Sequence, residues 1–412
     1  MSTSNYTING LKAIFDGMAE NIPMAKRTRS GVLLPLDNNG SFYHVTNAHK
    51  RGTPEHLKYG DSWFEYKIIC NSEEYERILN PKVLEDHLLK LRANAILDHM
   101  RAIRVFAERF KHSQEVSLSK WYRNNDRDNK YLDNISKGNL RKLSKVPAGT
   151  AMINRANAIC MKLNEGNIIV VSEKMMYALY FFNIFIYGTS LGFDEQECFI
   201  GYVIALRTYY GYESIDFDLD SRGVFDDETE GHLQKLTTDQ YNFILGHEYA
   251  HHLLGHLDDS KLIDECNFGG DKTGRLTHYK HRFKEEYDAD WHAIKNVTGN
   301  NKFKDDLTNA AFSCFLFFYV LESVDEYLSP RGNSKPRTHP PALDRISQLR
   351  KRVRSSFGIN NDYLENVQKY VDQITLHFLT ELLPFNMDEF EIYGSYYFHR
   401  FKPIIQRDRI DF

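Results

Sequence analysis

His247-Glu248-Tyr249-Ala250-His251 lies inside a run of helical periodicity, and its reading decides what the chain folds around. Residues four apart share one face of a helix, so the imidazoles of His247 and His251 can grip one metal ion together. Glu248 flanks that ion without displacing either ring. Two histidines leave zinc short of protein ligands, and a catalytic site needs a third ligand plus an open position. Downstream, Glu286-Tyr287-Asp288-Ala289-Asp290 offers that ligand in Glu286, with Asp290 one helical turn further on. Asp290 is then placed to hydrogen-bond a ligating imidazole and fix its tautomer. His252 and His256 also have helical spacing but lack an intervening glutamate, and are expected on the helix flank rather than as ligands.

Working outward, Thr237 and Gln240 have capping-box spacing, so the metal-bearing helix is expected to start near Thr237 or Thr238 and run toward Leu257. A second such helix is expected from Phe283 to about Val297. Upstream, Asn157–Leu163 and Ile168–Ser172 flank the turn residues Asn164-Glu165-Gly166-Asn167 and read as a β-hairpin. Helices follow at about 173–187 and 194–210, the second opened by Asp194 and Glu197 as a capping box. Ile215, Phe217 and Leu219 alternate with Asp216, Asp218 and Asp220, the pattern of a half-buried strand. Residues 81–111 carry a helical apolar stripe. The polar stretch 121–145, followed by Pro147-Ala148-Gly149, reads as a linker or loop. A helix near 362–383 precedes an aromatic tail, Tyr393–Phe398, whose role the sequence leaves open.

Length and composition suit a protein with a sizeable core: 412 residues, 42% hydrophobic and 26% charged. A net charge of −4 argues against a nucleic-acid binder. Charge is uneven, with twelve Lys/Arg against five Asp/Glu over 101–145 and eight acids against one base over 213–230. Both runs read as solvated faces, the basic one alternatively as a docking surface for an acidic partner. Five unpatterned cysteines suggest reduced thiols in a cytoplasmic protein, and no basic region with an apolar core marks a signal peptide at Met1. Met175–Phe193 runs nineteen residues without a charge, the threshold of a membrane span. Asn183, three tyrosines and Gly188-Thr189-Ser190 interrupt it, so two buried core helices joined by a turn are expected. Ala310–Leu321 is apolar but too short to span.

Thr338-His339-Pro340-Pro341-Ala342-Leu343-Asp344-Arg345-Ile346 adds a third element. Together with HExxH and the E-Y-x-A-D block, it resembles the THPP…RI signature of gluzincin zinc metallopeptidases of the HtpX and CAAX-prenyl-protease kind. Asn157-Ala158 and Gly166-Asn167-Ile168-Ile169-Val170 are similar to that family's edge strand and hairpin, so the likeness covers about 154–350. The resemblance implies zinc held by His247, His251 and Glu286, with Glu248 as the catalytic glutamate. It implies that Asn157 and Ala158 lie on an edge strand taking an extended substrate by β-addition. His339 and Arg345 would stand near the site, His339 contacting substrate or the oxyanion. The chain departs from the family in the seventy-residue stretch Met176–Gly246 and in lacking a set of evident transmembrane helices. A soluble, divergent member is therefore expected, without the family's membrane-linked roles.

The expected fold is α+β and mainly helical, with a zincin-like core whose small sheet borders the cleft by its edge strand. A helical N-terminal region would occupy 1–150, the metallopeptidase domain 151–353, and a C-terminal helix with the aromatic tail 354–412. The expected function is a zinc endopeptidase acting on a restricted set of protein substrates. Zinc would activate water and polarise a carbonyl, while Glu248 moved the proton from water to the departing amine. His339, His278, Tyr279 and Tyr287 are the candidate oxyanion donors. The alternatives are a Lit-type phage-exclusion peptidase, and a regulatory or binding protein that keeps the fold without turnover. The intact Glu248 speaks against the last.

Overall fold

The helical N-terminal region expected over 1–150 contains a sheet. In the computed structural model, which describes residues 8–29, 31–36, 40–45, 54–111, 113, 115–125, 129–153, 157–256, 261–267, 275–280, 283–329 and 339–398 (main chain alone for 8–12, 261–267 and 275–280), the chain divides into two compact units, Met1–Glu65 and Tyr66–Phe412. In the first, α1 (Ile8–Asn21) precedes an antiparallel sheet of β1 (Lys26–Arg27), β2 (Val32–Pro35) and β3 (Phe42–Val45). Two to four residues per strand give too little alternation to be recognised in sequence. Two short helices follow, α2 (Pro54–Tyr59) and α3 (Trp63–Tyr66).

The second unit begins with five helices: α4 (Ser72–Leu79), α5 (Leu84–Leu97), α6 (Met100–Phe110), α7 (Leu118–Asn125) and α8 (Lys137–Leu143). The apolar stripe of 81–111 is thus two helices, broken where His99 turns extended (φ −131°, ψ 113°). Arg109, one of the basic residues of 101–145, is buried and forked onto Asp218 at 2.7 and 3.0 Å, so that run is not uniformly a solvated face.

The linker or loop expected over 121–145 with 147–149 instead carries part of α7, all of α8 and the start of a strand. β4 (Ala148–Ala151) pairs parallel to β6 (Gly166–Ser172), which pairs antiparallel with β5 (Ala158–Leu163) in the order β4-β6-β5. This sheet packs on α5 through Leu88 and Ala95 against Ile159, Met161, Ile168 and Val170, and that shared core is why the compact units do not divide near residue 150. Gly166 closes the β5–β6 turn at φ +146°, a backbone state that side chains rarely adopt.

The uncharged run forms α9 (Glu173–Tyr187), a 3-10 turn at Gly188–Leu191, and α10 (Glu195–Tyr210), the expected pair of core helices. Asp194 and Glu197 make the expected capping box. Asn183, fully buried, is satisfied by a reciprocal amide pair with Gln240 at 2.9 and 3.0 Å and by Thr237 at 3.2 Å. The segment 213–222 is not a strand. Its acids turn inward around two buried guanidiniums: Arg207 donates to Glu213, and Arg222 to Glu213 at 3.1 Å and Asp216 at 2.7 Å. The aromatic tail seals this knot. Tyr396 N donates to Glu213, Phe398 N to the Arg222 carbonyl, and the Phe398 ring packs among Phe181, Phe193 and Phe225.

The metal-bearing helix α11 spans Asp227–Leu253, ten residues longer at its start than expected, because Asp226 is the cap, accepting from Thr229 N. After β7 (Lys261–Asn267) and β8 (Arg275–Lys280) come α12 (Phe283–Lys295), α13 (Asn301–Leu328), α14 (Ala342–Arg352), α15 (Asn361–His377) and α16 (Met387–Glu391). The run 310–321 is therefore part of a much longer helix. By length and composition α13 could cross a membrane, but 72% of its most apolar window is buried inside the protein. Here α13 acts as a core rod against which α9, α11, α12 and α14 pack.

Candidate metal centre

Two features fix α11 where it carries the histidines. Asn242 accepts from Tyr131 N at 2.8 Å, and the Tyr131 ring stacks on Tyr249 with centroids 5.9 Å apart. Gly246 permits that approach, since a Cβ there would lie 2.5 Å from Tyr131 Cε2. His247 and His251 then face α12 from one side of α11, both buried.

Glu286, buried on α12, meets them. His251 Nε2 lies 3.0 Å from His247 Nε2, His247 Nε2 3.6 Å from Glu286 Oε2, and His251 Nε2 3.5 Å from Glu286 Oε1. Donors about 2.1 Å from a tetrahedral ion stand about 3.4 Å apart, so this spacing suits one ion. Glu286 Oε1 is buried and accepts no hydrogen bond. A bare buried carboxylate oxygen is costly, and a cation is the partner this donor set provides for. Among the described residues no other trio of such side chains converges in this way.

Asp290 and Arg345 support the first histidine. His247 Nδ1 donates to Asp290 Oδ1 at 2.8 Å, and Arg345 forks onto the same carboxylate at 2.6 and 2.9 Å. The guanidinium lies 4.5 Å from the centre of the Phe315 ring on α13, so α11, α12, α13 and α14 meet at one buried knot. His339, three residues before α14 and 53% exposed in its side chain, donates from Nδ1 to Glu286 Oε2 at 3.0 Å. His256 reaches His251 Nδ1 at 3.0 Å, and Asn167 of β6 donates to His252 at 2.9 Å.

The carboxylates of this pocket are pushed in opposite directions. Burial raises all three, but His339, His247 and His251 hold Glu286 well below the usual carboxylate range, and Arg345 with His247 lowers Asp290. Glu248 goes the other way: burial, the largest cause, raises it over the downward pull of His247, and the Glu286 charge adds a smaller push upward. Carboxyl groups whose affinities for protons are driven apart suit different tasks, one staying anionic and the other exchanging a proton.

The structure thus gathers His247, Glu248, His251, Glu286, Asp290, His339 and Arg345. Asn157 and Ala158 stand at the start of β5, where Asn157 Oδ1 accepts from Ala158 N at 2.9 Å. Further along β5, Cys160 is close enough to Glu248 for that carboxylate to raise its thiol, burial being the larger cause. Burial raises the Tyr287 phenol, and the charges of Asp344, Arg345 and Asp290 act on it. Thr338 and the side chains of His278 and Tyr279 lie outside the described residues. Sequence reasoning placed His256 on the helix flank and missed its contact with His251; Gly255-His256 directly after a helix was the signal for it.

A family model described as Peptidase U49 matches residues 217–362. That stretch takes in α11, α12 and α14 with every side chain gathered above, and leaves out the β4-β6-β5 sheet. The likeness supports a peptidase, and it is not to the HtpX or CAAX-prenyl-protease kind expected from the motifs. No curated protein and no solved structure matches the chain.

Proposed function

We propose that the chain is a zinc-dependent endopeptidase that cleaves a restricted set of protein substrates in the cytoplasm. One observation carries the reading: three donor atoms of His247, His251 and Glu286 converge at single-ion spacing beside a half-buried glutamate with a raised proton affinity. The Peptidase U49 likeness over the same residues supports it. His247, His251 and Glu286 would hold the ion, which when bound supplies Lewis-acid polarisation of a carbonyl and a more acidic water.

The remaining work falls to the chain itself. Glu248 takes a proton at its carboxylate from the attacking water and returns it to the departing amine. Asp290, held by Arg345, keeps the His247 ring in one tautomer and orientation. His339, half in solvent, steadies Glu286 and is near enough to the ligands to donate to a substrate oxygen. β5, the last strand of its sheet and close to Glu248 at Cys160, would supply backbone groups for an extended peptide.

A second, narrower reading is favoured by the family likeness, since Peptidase U49 is a Lit-type family. In that reading the restricted substrate is one host protein cleaved during phage exclusion.

The test incubates the purified full chain with cell extract, with and without a chelator, and maps new N-termini. Fragments should appear, vanish on chelation, and fall by about 10²–10⁴ in rate for Glu248→Gln while that variant keeps its ion. Undiminished cleavage by Glu248→Gln would refute the assignment. Restriction of the fragments to one host protein would select the narrower reading.

A further inference from the structure

The helix α11 ends in a closed cap that returns a third histidine to the metal centre. Gly255 turns left-handed at φ +73°, Gly255 N donates to the His252 carbonyl at 3.3 Å, and His256 N to the His251 carbonyl at 3.1 Å. This is the Schellman pattern, which folds the residue after the left-handed position back over the helix residue two before its end. An apolar contact commonly seals such a cap. Here the two residues that meet are imidazoles, with Nδ1 to Nδ1 3.0 Å and ring centroids 5.2 Å apart.

The proton inventory of these rings fixes the direction of the bond. His251 Nε2 is the atom that faces His247 Nε2 and Glu286 Oε1. A neutral imidazole bears one N–H, and a nitrogen offered to an ion must be the bare one. The proton of His251 therefore sits on Nδ1, and His256 Nδ1 is the acceptor that holds it there. We propose that His256 is a positioning residue for the metal centre, fixing the tautomer and rotation of His251 as Asp290 does for His247. The two ligand rings then have unlike supports: a carboxylate locked by Arg345 behind His247, a neutral imidazole delivered by the helix cap behind His251. This inference rests on the metal reading given above.

The experiment titrates zinc into the full chain by chelator competition, comparing wild type, His256→Leu and His256→Asn. Asn Oδ1 stands about where His Nδ1 stood and can accept the same proton, whereas Leu fills the space and cannot. Losing a partner behind a ligating histidine typically costs about 10–100-fold in affinity. That loss is expected for Leu, with recovery to within about threefold of wild type for Asn. The proton spectrum should contain a slowly exchanging His251 Nδ1–H in wild type and His256→Asn, absent from His256→Leu. Equal affinity of a folded Leu variant with wild type would overturn the inference, as would an Asn variant no better than Leu. A wild-type chain that takes up no ion would instead overturn the metal reading on which it stands.

Discussion

Asp290 carries two obligations at once, since its carboxylate accepts from His247 and from both nitrogens of the Arg345 fork. Removing it leaves a buried guanidinium without its counter-charge, a change that costs about 3–5 kcal/mol where a buried pair is broken. Asp290→Ala is therefore expected to lower unfolding free energy by about that amount and to weaken metal binding, both measurable by urea denaturation and zinc titration. An unchanged denaturation midpoint would mean that Arg345 finds another partner. At this scale the sequence was legible wherever chemistry follows helical spacing: His247 with His251, and Glu286 with Asp290, each separated by one turn. Arg345 was reachable only through the motif resemblance, because its fork crosses from α14 to α12. His256 was not reachable by spacing at all, since its contact depends on a left-handed Gly255.

Among the elements, α11 shows how a good local pattern can mislead. Thr237 and Gln240 match a capping box, yet both lie inside the helix and spend their side chains on Asn183 and on the Leu233 carbonyl. The strand pattern of 215–219 failed for a related reason: Asp216 and Asp220 are drawn inward by Arg222, a partner no alternation rule can see. Residues 147–149 read as a linker in isolation because the parallel partner of β4, β6, comes many residues later. The β5–β6 hairpin and the α9–α10 pair were legible because their signals are local: a glycine turn, a capping box and an uncharged run. The same logic gives an element-scale prediction. Gly246→Ala forces a Cβ toward the Tyr131 ring, and overpacking of this kind costs about 1–3 kcal/mol. The double variant Gly246→Ala with Tyr131→Ala should lose less stability than the sum of the two single changes, measured by urea denaturation as a coupling between them. Simple additivity would show that Tyr131 does not set the seat of α11.

At the scale of the whole molecule, residues 389–398 fold back onto the middle of the second compact unit. Residues 392–398 lie against the Arg207–Glu213–Arg222 knot, and Arg207 also donates to the carbonyls of Glu389, Phe390 and Ile392. The aromatic tail, unassigned from sequence, is thus core: Phe398 is buried among rings from α9 and from the segments flanking α10. Phe398→Ala should cost about 3–5 kcal/mol, the usual loss for a buried phenylalanine, with the metal ligands untouched. A thermal melt that shifts strongly, alongside zinc affinity that does not, is the expected pair of results. Loss of zinc affinity in the folded variant would instead couple the tail to the centre. The central claim is that three side chains from α11 and α12 form one metal site, and metal content tests it most directly. Purified full chain supplied with zinc should carry about one ion per molecule by elemental analysis, and Glu286→Ala and His251→Ala should carry far less; a wild-type chain that retains none, or variants that retain as much as wild type, would contradict the account.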